Sequence, residues 1–210
     1  MRLHESGWWI PDHMTGPGGY VARSAVCAKA AAHCTSKRVA IQAGGHIGVW
    51  PVYLAAAFDS VITVEPEPRN LEVLKKNVAL FNNVKIIEGV LGSVRGKAQV
   101  NCNKTTGGHH IMTREDRPHI EVEQYTIDAL AFSQTQLVDL IMLDIEGYEY
   151  PALQGAAKYI ATRSPVIVIE QNKACGRYHI AYYAAQKFLE KRGYTVVDTY
   201  NEDLILARQP

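Results

Sequence analysis

From Arg38 onward, short β-branched apolar runs alternate with longer segments of helical period. That alternation predicts a parallel sheet with crossover helices. The runs place strands at Val39–Ala43, Val61–Glu65, Val84–Glu88, Leu137–Asp144 and Val166–Glu170, and helices at Val49–Phe58, Pro68–Phe81, Tyr150–Tyr159 and Ala181–Lys191. In the second helix Leu71, Leu74, Val78 and Phe81 share one face. Two stretches break the alternation. Residues 96–125 carry short alternating runs with turn residues and predict a small β insertion or hairpin. At the C-terminus, Tyr194–Tyr200 and Leu204–Arg208 are separated only by Asn201-Glu202-Asp203, too few residues for a crossover, so these strands must be antiparallel. Residues 1–20 show no period and read as an irregular lead-in; Val21–Cys34 is alanine-rich and reads as a helix. The organisation expected is a lead-in and helix over 1–37, a candidate lid, followed by one α/β domain over 38–210, a mostly parallel seven-stranded sheet with helices on both faces.

Composition narrows the class without naming a chemistry. A chain of 210 residues with 47% apolar and 20% charged residues is an ordinary globular domain. Lys+Arg 22 against Asp+Glu 21 gives no net-charge argument for a polyanionic partner. No stretch has the length of a membrane span, and the N-terminus lacks the apolar run of a signal peptide. Cys27, Cys34, Cys102 and Cys175 form no CxxC pair and read as reduced thiols, so a cytoplasmic location is expected.

The densest chemical signal is VAIQAGGHIGVWPVYLAAAFDSVITVE, Val39 to Glu65. A strand runs into a glycine-rich turn, a helix follows, and a second strand ends in a carboxylate. Gly44, Gly45 and Gly48 let the backbone pass close to a ligand, and Glu65 sits where an acid can accept hydrogen bonds from a ribose diol. A nucleoside-bearing cofactor is expected, and such a turn also serves dinucleotides.

The ordered set AGGHIG, VEPEPRN, EGVLGS and LDIEGYEYPALQGA resembles the FkbM-type methyltransferase family, whose pattern is D-x-G-A-N-x-G, F/V-E-P, A-L-G/S and D-x-E-G-x-E. The resemblance covers roughly residues 38–172. It implies a Rossmann-like fold, to which an antiparallel terminal hairpin is also suited, and S-adenosylmethionine (SAM) as cofactor. By that resemblance Gly44 and Gly48 shape the turn beneath the methionine part, Glu65 binds the ribose diol, Val90 and Leu91 enclose the adenine, and Gly45 and Pro66 also belong to the cofactor site. Gln42 departs from the pattern, which has Asp there; the lost charge is expected to weaken cofactor binding by about 1–2 kcal/mol. His46 stands at the usual Asn position, either donating to the cofactor or capping the helix.

Asp144, Glu146 and Glu149 follow the fourth strand and would crowd the transfer cleft with acids. Asp144 or Glu146 is a candidate base, or fixes substrate or the cofactor amine; the alternative is that Glu146 and Glu149 only pin the turn and cap the next helix. Glu170 faces the same edge. Asp144, Glu170 and Asn172 offer hard oxygens, but their spacing does not match the catechol-type metal enzymes, so no metal is expected. His109 and His110, after two glycines, either reach over the cleft as bases or form a solvated hairpin tip. Trp8, Trp9 and His13 either lid the cleft or anchor the lead-in.

The resemblance implies methylation of a hydroxyl on a small molecule or glycan. A nucleic-acid enzyme is disfavoured, since the chain has neither an (N/D)PP(Y/F) motif nor a Pro-Cys nucleophile. A nicotinamide-linked reductase would leave DIEGYE unexplained and lacks a Tyr-x-x-x-Lys pair. Methylation of a protein and non-catalytic SAM binding, the latter suggested by Gln42, complete the alternatives. Cofactor turnover separates the last from the enzymes. No membrane partner is expected, and the sequence names neither the acceptor nor the oligomeric state.

Overall fold

The computed structural model describes residues 1–102, 108–111 and 118–208. The lead-in forms a two-stranded hairpin, β1 (Arg2–Leu3) with β2 (Trp9–Ile10), then two helices, α1 (Gly18–Arg23) and α2 (Ala25–Ala32). The single helix expected over Val21–Cys34 is thus divided. Buried Ser24 joins the two pieces, its hydroxyl donating to the Val21 carbonyl at 2.6 Å instead of capping an amide.

The domain proper runs β3 (Val39–Ala43), α3 (Val49–Ala55), β4 (Ser60–Glu65), α4 (Pro68–Asn77) and β5 (Val84–Glu88). A side sheet follows, built from β6 (Val90–Leu91), β7 (Gly96–Asn101), β8 (His110–Ile111) and β9 (His119–Tyr125). The chain continues through α5 (Ile127–Phe132), β10 (Val138–Leu143), α6 (Glu149–Gln154), α7 (Ala157–Arg163), β11 (Val166–Glu170), a 3-10 turn at Lys173–Tyr178, α8 (Ala184–Glu190), β12 (Tyr194–Tyr200) and β13 (Asp203–Arg208). The β insertion expected over 96–125 is present as β7 to β9; residues 103–107 and 112–117 of it lie outside the described residues.

The seven strands are ordered β12-β13-β11-β10-β3-β4-β5. Six run in one direction, and β13 alone enters antiparallel, between β11 and β12. The terminal turn is tighter than the three residues expected: Tyr200 pairs with Asp203, leaving Asn201 and Glu202 as the turn, with Asn201 in the left-handed region at φ 54°. One sheet face packs on α5 to α8 through Ile41, Val64, Ile141, Leu153, Ile160 and Leu189. The other packs on the lead-in, α2 and α3 through Ile10, Val26, Leu54, Leu140 and Val168. Three layers result, and the central strands, covered on both sides, are apolar nearly throughout.

Local chemistry sets where the helices begin. Glu67 caps α4, accepting from the Asn70 amide at 2.8 Å, and Pro68 opens the helix. Thr126 caps α5 in the same way through the Ala129 amide. Strand order reverses between β3 and β10: β3 leads outward to β4 and β5, β10 to β11 and the hairpin. The crevice beyond the carboxyl ends of β3 and β10 is therefore the natural ligand site of this topology.

Candidate active site

Two adjoining cavities open at that reversal point. The larger, of about 260 Å³, is walled by Gly44, Gly45 and His46, by Asp144, Glu146 and Glu170, and by Tyr20, Trp50 and His109, among others. The smaller, of about 60 Å³, is apolar and lies among Pro66, Val90, Leu91 and Ile145, with His109 and His110 on its rim. Gly44, Asp144 and His109 border both. Gly44 has φ 86°, and a Cβ there would drive into the Asp144 carbonyl oxygen, so glycine is needed both for the turn and for the close approach of β3 to β10.

The turn is tied down from beneath. Gln42 is fully buried and donates through its amide to the carbonyls of Ala43 and Gly44 at 3.0 and 2.9 Å, while accepting from the Thr63 hydroxyl at 2.6 Å. Its side chain lines neither cavity. The expectation that Gln42 is a weakened charge partner for a cofactor therefore changes: the position needs a donor facing two carbonyls, and a carboxylate cannot supply it. Gly48 also stays out of the cavities; it caps the start of α3 at φ 92°, where a Cβ would meet Leu74. His46 borders the larger cavity, with its ring 4.5 Å from that of Tyr20.

Glu65 is buried at the end of β4. One oxygen accepts the His46 amide at 2.7 Å; the other accepts the Glu67 amide at 3.0 Å and the Asn70 side chain at 3.2 Å. Burial raises its pKa, and these donors pull against the rise. The carboxylate lies behind Gly45, His46, Pro66 and Asn70, which form the adjoining cavity walls, and is not itself a wall. The His46 amide is spent on Glu65 and does not face the cavity.

The DIEGYE turn separates its three acids. Glu149 turns back inside, accepting the Ile145 and Gly147 amides at 3.1 and 3.2 Å, and burial pushes it up to about 7. It pins the turn. Glu146, with left-handed φ of 57°, projects into the larger cavity, 3.7 Å from the Arg177 guanidinium. Burial, then Asp144, raise its pKa, while Arg177 and Arg23 oppose them. Burial raises the pKa of both Asp144 and Glu170; Asp144 adds to the rise at Glu170, and Arg23 opposes it at each. Asn172 donates to Glu170 at 2.6 Å, and its own oxygen is taken by the Ala174 amide. No cluster of three or more His, Cys, Asp or Glu among the described residues has the geometry of a metal site.

His109 borders both cavities, and burial lowers its pKa, favouring neutral imidazole. His110 borders the smaller one, with Nδ1 2.9 Å from the Gly108 carbonyl and Nε2 3.3 Å from the Asn101 amide. The lead-in reaches the cleft through different residues from those expected. Trp8 and Trp9 pack against the core on the sheet's other side, the Trp9 amide donating to the Asn77 side-chain oxygen at 2.8 Å and the Trp9 carbonyl accepting from its nitrogen at 2.9 Å, and neither they nor His13 line the two cavities. Tyr20 and Arg23 of α1 do line the larger one. Arg23 lies 3.1 Å from Glu170, 3.4 Å from Asp144 and 3.9 Å from Asp203. Neither Arg23 nor Asp203 carries a motif signal; only folding brings them to the strand ends. Trp50, in the first turn of α3, was equally silent among the apolar residues after the glycines.

Among solved structures the chain is similar to methyltransferase FkbM from Methylobacillus flagellatus KT, with TM-score 0.54 and 18% identity over 82% of this chain and 43% of that one. The chain thus spans less than half the length of that relative. It is also similar to precorrin-6y C5,15-methyltransferase from Geobacter metallireducens GS-15 (TM-score 0.53, 11% identity, 98% of this chain and 96% of that one). The N-methyltransferase NodS from Bradyrhizobium japonicum WM9 is a third (TM-score 0.54, 13% identity, 92% and 97%). At such identities these likenesses speak for the fold, and no curated protein matches the chain. The model of the methyltransferase FkbM domain matches residues 42–196, from the glycine turn to the terminal hairpin, and on that match this chain belongs to the FkbM methyltransferase family.

Proposed function

We propose that the chain is a SAM-dependent methyltransferase that methylates a hydroxyl of a small molecule or glycan. The observation that carries this reading is the pair of cavities meeting at Gly44 and Asp144, one apolar and one lined by acids. A nucleoside joined to a cationic tail matches that polarity change. Pro66, Val90, Leu91 and Ile145 would enclose an adenine. Glu65, through the turn it holds beside the cavities, would serve the ribose, and Asp144 would face the cationic end. Added bulk at Gly44 would close the junction, so the residues present fit the group.

Bound SAM supplies a methyl already activated on a sulfonium sulfur, so the chain's own residues need only align an acceptor and take its proton. Tyr20 and Trp50 give the larger cavity aromatic walls for an acceptor. Glu146 stands first as base: it projects into the cavity, and burial together with Asp144 moves it toward the pKa useful near neutrality. His109, neutral and bordering both cavities, is second. Glu170, raised by burial and by Asp144, accepts from Arg23 and Asn172 and stands beside Asp144 in the cavity wall.

The test is S-adenosylhomocysteine release from SAM across panels of sugars, lipids, peptides and nucleic acids. The reading predicts turnover with a hydroxyl acceptor, lowered about 10²-fold or more in Glu146→Gln with loss of the acid limb of the pH–rate profile. Turnover confined to nucleic acids or peptides would replace the acceptor half. An unchanged profile in Glu146→Gln would move the base to His109 or His110.

A further inference from the structure

Arg23 and Asp203 both fall outside the matched residues 42–196, yet they meet at the centre of the acid cluster. Asp203 is fully buried at the start of β13, paired across the sheet with Glu170, and neither of its carboxylate oxygens has a hydrogen-bond partner among the described residues. A buried carboxylate in that state is costly unless a cation stands near it. Arg23 is that cation, and it also stands within ion-pair distance of Asp144 and Glu170. Its guanidinium lies 5.9 Å from the centroid of the Trp50 ring. One arginine from the lead-in therefore spans acids contributed by β10, β11 and β13.

We propose that Arg23 is a positioning residue for the transfer chemistry, acting through Asp144: its contacts set the charge and the aim of that carboxylate, and Asp203 draws the guanidinium toward the sheet. This rests on the methyltransferase reading for its purpose, though not for its test. The groups that bear on Asp144 are Tyr20 and Arg23 from α1, Glu146 and Glu149 from the DIEGYE turn, Glu170 from β11 and Asp203 from β13. Arg23 is the cation that opposes the burial of Asp144, and it also stands 3.9 Å from Asp203, so the two carboxylates compete for one guanidinium. Removing Arg23 and neutralising Asp203 must then move Asp144 in opposite directions.

The experiment is a 13C NMR titration of the aspartate carboxyls in the ligand-free full chain, with Asp144 assigned through Asp144→Asn. Arg23→Gln is expected to raise the Asp144 midpoint by about 1–2 pH units, Arg23→Lys to restore most of the wild-type value, and Asp203→Asn to lower it. Opposite signs are the signature, because a purely structural role for both residues would lower thermal stability without separating the midpoints. Should Arg23→Gln fail to fold, Asp203→Asn still carries the test, and an Asp144 midpoint that it leaves unmoved or raises overturns the proposal. An Asp144 midpoint unmoved by Arg23→Gln, or moved the same way by Arg23→Gln and Asp203→Asn, overturns the proposal. Failure of S-adenosylhomocysteine to bind the wild type would instead strike the methyltransferase reading and leave the titration standing.

Discussion

Glu149→Gln separates scaffold from chemistry within the DIEGYE turn. The Glu149 carboxyl is buried, and one of its oxygens accepts two backbone amides, a role the glutamine oxygen can keep. Burial lifts the acid from an ordinary 4.5 to about 7 in the folded chain. Because the folded value lies above the unfolded one, the associated stability is full below the unfolded pKa and is lost as pH rises through about 7. At about 1.36 kcal/mol per pH unit the loss is about 3 kcal/mol. Glutamine mimics the protonated acid and has no such loss. The variant is therefore expected to gain about 3 kcal/mol on the wild type between pH 4.5 and pH 8, a relative Tm gain of about 6–12 °C for a chain this size. Thermal melts across that pH range read the difference, and turnover at neutral pH should stay within a few fold of wild type. A parallel pH dependence in the two proteins would refute the burial argument. A hundredfold loss of turnover with an intact fold would return Glu149 to the chemistry.

Two further substitutions test how the turn is built. Glu65→Ala strips acceptors from the His46 and Glu67 amides and from Asn70, so it should lower folding stability as well as S-adenosylhomocysteine affinity, each by about 1–3 kcal/mol; lost binding at unchanged Tm would mean the carboxylate serves the ligand alone. Gln42→Asp, which restores the family's usual residue, should destabilise this chain by about 3 kcal/mol, because it exchanges two amide donations for a buried charge facing two carbonyls; denaturant unfolding measures it, and a more stable variant with tighter SAM binding would reinstate the charge argument.

The central strands were legible because burial on both faces writes β-branched apolar runs, and β3 and β11 match their sequence bounds. Helices were read too long wherever a turn hides in an apolar stretch: Tyr150–Tyr159 divides into α6 and α7 at Gly155, and Pro68–Phe81 stops as α4 at Asn77. The six-residue α5 is too short to display a period, and two-residue strands such as β1 and β2 have none. The cofactor side of the site was legible where local backbone demands glycine, as at Gly44. The acid cluster was only half legible. Asp144, Glu146 and Glu170 follow strand ends, where topology places ligands, but Arg23 meets Glu170 across 147 positions of chain. Gln42 shows the opposite failure: a family position can keep its place and change its work, and only the partners of the amide reveal it.

The most direct measurement is isothermal calorimetry of the full chain with S-adenosylhomocysteine and, separately, NADH. The account predicts a one-site isotherm with S-adenosylhomocysteine, abolished by a charge in the apolar slot such as Val90→Asp, and no heat with NADH. Tight NADH binding and silence toward S-adenosylhomocysteine would contradict it.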